Sequence, residues 1–222
     1  MYNYRIENVQ KKLAGTIVYF LSAFVIFNIA QIVSVNLYLV CQITVYKYDV
    51  IKYLIYQMLT MPLLCGYVMF LIDDNAGLKS VFSCYLSKHR FMDTFLIFIM
   101  FNLPCVLLNF ISSFMTGMSR CVVLIFTLII GLQQTYQIID FAKNGRCRIK
   151  LFFNAICYKK LLITVLILMP LYILYAVLAT MFNYEVGQIG GDFFSNILMY
   201  GLNLVILPAY FIFFNNNVCK DV

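Results

Sequence analysis

Long apolar runs alternate along this chain with short polar connections. Six runs are legible, at about 13–40, 53–72, 94–118, 121–139, 162–183 and 193–214. Each is near or above the roughly 20 residues an α-helix needs to cross a bilayer. None shows the sustained apolar–polar alternation of half-buried strands. The pattern predicts an all-α polytopic membrane protein: one transmembrane domain, 1–222, with six membrane-spanning helices. Residues 1–12 are polar and are expected to form a short interfacial helix ahead of the first span. That span is too long for a signal-peptide core and is expected to be retained.

Two connections stand apart. Leu71–Phe91 (LIDDNAGLKSVFSCYLSKHRF) and Ile138–Leu161 (IIDFAKNGRCRIKLFFNAICYKKL) each cross a polar turn and become basic and amphipathic. The apolar positions of the first are Leu78, Val81, Phe82, Tyr85 and Leu86. Those of the second are Ile149, Phe152, Phe153, Ile156 and Cys157. Both follow i, i+3, i+4, i+7, i+8, the stripe of a helix with one buried face. Two cytoplasmic amphipathic helices are therefore expected along the membrane surface. Their candidate partner-docking residues are Lys79, Lys88, His89 and Arg90 in the first, and Arg148, Lys150, Lys159 and Lys160 in the second. The registers match, with Lys79 opposite Lys150 and Lys88 opposite Lys159. Spans 2–3 and 4–5 thus read as an internal parallel repeat.

Composition agrees with this class. Hydrophobic residues make up 64% of the chain and charged residues 11%, against about 45–50% and 25% in soluble domains. The net charge of +7 does not indicate nucleic acid, because the cations lie between apolar runs. With the N-terminus inside, thirteen of the sixteen Lys and Arg residues fall on the inner side. The positive-inside rule then places both termini and both amphipathic segments in the cytoplasm, in a plasma (inner) membrane of bacterial type.

Polar positions inside the runs are the candidates for function. Asn28 and Gln31 are at i, i+3 and are expected to face other helices rather than lipid. Gln133 and Gln137 lie one turn apart in an unusually polar half-span. All four prolines, Pro62, Pro104, Pro170 and Pro208, sit within apolar runs. They are expected to kink their helices, as hinges around a path or simply as part of the bundle's shape.

Catalytic chemistry is thin. The eight cysteines form no C-x-x-C pair and read as reduced structural thiols. Neither a metal-ligand cluster nor a phosphate loop is written in the sequence, so no cofactor is expected. The one enzyme-like pairing, Cys84 with His89, has i, i+5 spacing. On a continuous helix those side chains diverge, outside the reach a thiolate–imidazole pair needs. The chain is read as a non-enzyme.

Several stretches carry a resemblance to a known group: the short basic N-terminus, TMPLLCGYVMFLIDDNAGLKSVFSCYL, TYQIIDFAKNGRCRIKLFFNAICYKKL, and a last span ending LPAYFIFFNN. In these the chain resembles a bacterial family of six-span membrane proteins of unknown function, related to the membrane domain of some glycerophosphoryl diester phosphodiesterases. The resemblance implies the six-span topology but no mechanism. The expected partners are the lipid bilayer and a cytoplasmic ATPase or another membrane subunit, with homo- or hetero-oligomers open and nucleic acid excluded. Two functions compete. One is a membrane-embedded transport or export subunit resembling a small permease that pairs with a cytoplasmic ATPase. The other is a self-immunity, signalling or scaffold protein without transport activity.

Overall fold

The computed structural model describes residues 2–41, 45–147, 177, 204, 206–213 and 215–216, and every regular element among them is helical. The chain divides into two compact units, 1–154 and 155–222. The second predicted amphipathic helix, with Arg148, Lys150, Lys159 and Lys160, lies outside the described residues. So do most of the fifth and sixth predicted spans, Pro170, and with them the repeat. In the second unit, Pro208 lies in a helical stretch, 206–213, where Ile206 and Phe211 are buried.

In the first unit the helices are α1 (Tyr2–Cys41), α2 (Val45–Ile72), α3 (Ser83–Leu86), α4 (Lys88–Ile97), α5 (Leu103–Ser113) and α6 (Gly117–Asn144). A 3-10 turn, Leu78–Phe82, precedes α3, and a π-helical turn, Phe98–Asn102, joins α4 to α5. Three stretches are long and apolar enough to cross a membrane: Asn8–Val40, Val50–Ile72 and Lys88–Leu108. They correspond to the first three predicted spans and make this a candidate multi-pass membrane protein in contact with lipid.

Three boundaries differ from the sequence reading. Residues 1–12 do not form a separate interfacial helix. From Tyr2 onward they continue into α1, and Asn8, Lys11 and Lys12 are tied to Asp74 at the end of α2. Most of the polar connection expected after the first span is already α2, which begins at Val45. The third span ends at Ser113 rather than Met118. Thr116 is extended (φ −129°, ψ 157°) and Gly117 takes φ 62°, a left-handed geometry open to glycine that interrupts the helix. The predicted fourth run falls inside α6. That helix stops at Gly145 (φ 70°), whose N–H reaches the Phe141 carbonyl at 2.7 Å, a glycine C-terminal cap.

The helix α2 is central: 56% of its candidate span is buried, against 22% for that of α1. α1 lies antiparallel along it. From the C-terminal end of α2 toward its start the contacts are Lys12 to Asp74 (2.8 Å), Gly15 under the Phe70 ring, Thr16 to the Tyr67 hydroxyl (2.9 Å), Tyr19 stacked on Tyr67 (4.5 Å), and Phe27 edge-on to Tyr56 (5.6 Å). The rest of α1 presents Leu21, Phe24, Ile32 and Leu39 outward, as a lipid-facing helix does.

Candidate functional site

The connection between the second and third spans is not the continuous amphipathic helix its pattern predicts. After Ile72 the chain turns at Asp73, whose carboxylate accepts from the Asn75 N–H at 2.9 Å. It then folds back along α2. The Val81 carbonyl and Ser80 lie directly against Gly66, where only a missing Cβ permits such an approach. The Tyr85 hydroxyl donates to the Leu59 carbonyl, about 20 Å of helix above Ile72. Ser87 is extended (φ −119°, ψ 117°) and breaks the segment before α4.

The burial pattern follows this geometry. Val81 and Cys84 face α2 and are buried, whereas Leu78, Phe82, Tyr85 and Leu86 are exposed. The 3.6-residue stripe fails because residues 78–82 form a 3-10 turn, in which side chains three apart eclipse. Most of the stripe expected to be buried instead faces outward beside the first span. Among the described residues a groove of about 350 Å³ is lined by the α1 face from Leu21 to Ile26, Leu63 of α2, and Phe82 and Tyr85.

The predicted docking residues are divided by the break. Lys79 lies on the 3-10 turn, while Lys88, His89 and Arg90 form the first turn of α4. Lys79, Lys88 and His89 are exposed and Arg90 is half-buried. Burial pushes the Cys84 thiol up to about 11, only partly offset by Ser83 and the positive charge of Arg90. The thiol is therefore protonated at neutral pH, and His89 stands on a different helix. Asp74 behaves oppositely: hydrogen bonds from Lys12 and Asn8 hold its carboxyl below the usual range.

A second set of polar groups lies between helices. Pro104 has no N–H to give the Met100 carbonyl. The helix widens just before it, and the Leu103 N–H bonds to the Phe98 carbonyl five residues back, the spacing of a π-turn. Within that turn the Asn102 amide approaches the Gln57 side-chain oxygen of α2 at 3.5 Å. On α6, Gln133 is half-buried, while Gln137 and Asp140 are 2% and 3% exposed. Asp140 accepts from the Asn144 amide at 2.8 Å. Among the described residues neither amide atom of Gln137 has a hydrogen-bond partner, nor does the Gln133 oxygen.

The other intramembrane predictions divide. Gln133 is half-buried and Gln137 is buried. Asn28 and Gln31 are exposed, and Asn28 satisfies its amide on its own helix, at the Phe24 carbonyl 2.8 Å away. Pro62 is buried inside α2 without ending it. Sequence reasoning missed the pairing of Gln57 with Asn102 and the role of Gly66. Amides in two neighbouring apolar runs were a usable signal for the first.

Among the described residues no group of His, Cys, Asp or Glu is arranged to hold a metal ion. No protein-family model, curated protein or solved structure matches this chain.

Proposed function

We propose that this protein is a non-catalytic, membrane-embedded transport or export subunit, resembling a small permease that pairs with a cytoplasmic ATPase. In this reading it has six spans, lies in a bacterial plasma membrane, and keeps both termini and the basic segments inside. The resemblance to the six-span family of the phosphodiesterase membrane domain belongs to the same proposal.

One observation carries it: Gln137 is buried on the face of α6 that also holds Gln133 and Asp140, with both amide atoms unpartnered among the described residues. A buried unsatisfied polar group costs about 1–3 kcal/mol. A chain this apolar has ready replacements for it. Polar and ionisable groups inside membrane bundles mark substrate and ion paths, and π-turns such as Phe98–Asn102 frequently accompany functional sites.

The test is Gln137→Leu, with transport assayed as export from cells or uptake into inverted vesicles across a panel of peptides and lipids. Expected is loss of export with unchanged protein level and equal or higher thermal stability. Full activity in that variant, or failure to co-purify any ATPase with the wild-type chain, removes the reading. The exposed basic residues Lys88 and His89 favour a second reading, an immunity, signalling or scaffold protein. It would stand if deletion abolished protection against a membrane-active peptide while no ATPase was recovered.

A further inference from the structure

The fold-back segment and α1 together form a groove whose chemistry the proposed function does not use. Its wall is apolar except for Ser22, and its volume of about 350 Å³ falls at the lower end of small-molecule sites, about 300–1,000 Å³. It runs beside the first candidate span, Asn8–Val40, so in the membrane reading its surroundings are acyl chains rather than water.

The inner end is positively charged. In a 3-10 turn residues three apart eclipse, so Lys79 lies on the same edge as Phe82, about 6 Å closer to the inner surface. Lys79 is exposed and makes no ion pair among the described residues. Lys11 lies on the α1 face that holds Ser22 and Val25, about 16 Å below Ser22. Its ammonium bonds the Asp74 carbonyl at 2.9 Å. The nearby carboxylate of Asp74 is taken by Lys12. An apolar slot with cations at its surface end complements one class of molecule: an acyl chain bearing an anionic headgroup.

We propose that this groove binds an anionic glycerophospholipid of the inner leaflet. One acyl chain lies against Leu21, Val25, Ile26, Leu63 and Phe82, and the phosphate group meets Lys79, with Lys11 adding to the field. The proposal rests on the multi-pass reading with the basic end inside. A bound lipid also accounts for Phe82 facing outward rather than into the bundle.

The chain contains no tryptophan, which makes a direct test simple. Phe82→Trp places one reporter in the groove. Phe24→Trp places one on an exposed part of the same span that does not line it. The full-length variants are reconstituted into vesicles containing brominated phosphatidylglycerol or brominated phosphatidylcholine, and quenching is compared. The expected result is a roughly fivefold preference for phosphatidylglycerol at the groove reporter, what one cation near the surface supplies, with no preference at the control reporter. Adding Lys79→Gln to Phe82→Trp should remove the preference while leaving quenching intact. Equal quenching of the groove reporter by both lipids, or a preference that survives Lys79→Gln, overturns the site. Absence of quenching of the control reporter by either lipid would instead overturn the membrane reading. A Val25→Trp reporter, at the upper wall of the same groove, serves if Phe82→Trp does not fold, with the same expected and refuting results.

Discussion

Gly66→Ala probes the contact that turns the basic connection back onto α2. A Cβ built on Gly66 falls 2.9 Å from the Val81 carbonyl carbon and 3.0 Å from the Ser80 oxygen, and closer still to the Val81 oxygen. These are backbone atoms, so no side-chain rotation relieves the clash, and the 3-10 turn must move away by about 1 Å or more. Overpacking of this kind costs roughly 1–3 kcal/mol, here at the upper end. Alanine returns up to about 1 kcal/mol of helix propensity. The net loss is about 2 kcal/mol, borne by the fold-back segment. Cys84 is carried on that segment and is fully buried. A loss of about 2 kcal/mol raises the fraction of open segment, and hence slow maleimide labelling of Cys84, by roughly 30-fold. Labelling is read at the peptide level by mass spectrometry of protein in mild detergent. Gly131→Ala is the control, because nothing lies within 4 Å of its Cβ, and it should leave Cys84 labelling unchanged. Labelling of Gly66→Ala within twofold of wild type, or an equal rise in Gly131→Ala, would refute the close approach.

Other expectations follow from single contacts. Tyr67→Phe removes the buried hydrogen bond to Thr16 and should destabilise by about 0.5–1.5 kcal/mol. The Thr16→Val, Tyr67→Phe double variant should fall short of the sum, as a double-mutant cycle in thermal unfolding would show. The depressed pKa of Asp74 means its stabilisation is present above its unfolded value of about 3.9 and is lost as pH falls through the lower folded value. Since Asp74 is largely exposed, solvent screening limits the effect to about 0.2–1 kcal/mol. Wild type and Asp74→Asn should differ in unfolding midpoint at pH 7 and converge near pH 2–3. Pro104→Ala restores an N–H for the Met100 carbonyl and should let the π-turn relax toward α-helix. A cysteine pair at positions 57 and 102 should then cross-link more slowly than with Pro104 present.

Much of the fold was legible in the sequence because lipid imposes one rule, that long apolar runs become helices. That rule located the first three spans to within a turn or two at most ends. It did not locate the helix break at Gly117, where one left-handed residue decides the boundary. Nor could periodicity reveal the fold-back segment. Leu78, Phe82, Tyr85 and Leu86 fit a 3.6-residue stripe, and the winner was a tertiary contact, the Val81 carbonyl on Gly66, far from it in sequence. The polar site was half legible. Gln133 and Gln137 were visible as amides one turn apart. Asn28 and Gln31 had a similar signature yet are exposed, and Asn28 satisfies its amide on its own helix, as asparagine can. Sequence spacing cannot separate those two outcomes.

The central claim of the proposed topology is that α2 and the α4–α5 pair cross the membrane, with the Asp73–Gly77 turn inside and the Phe114–Thr116 turn outside. Single cysteines at Asn75→Cys and Thr116→Cys, both exposed positions, in a background with the native cysteines replaced, test it most directly with a membrane-impermeant maleimide. In right-side-out vesicles Thr116→Cys should label and Asn75→Cys should not, and in inverted vesicles the pattern should reverse. Labelling of both positions from the same face would contradict it.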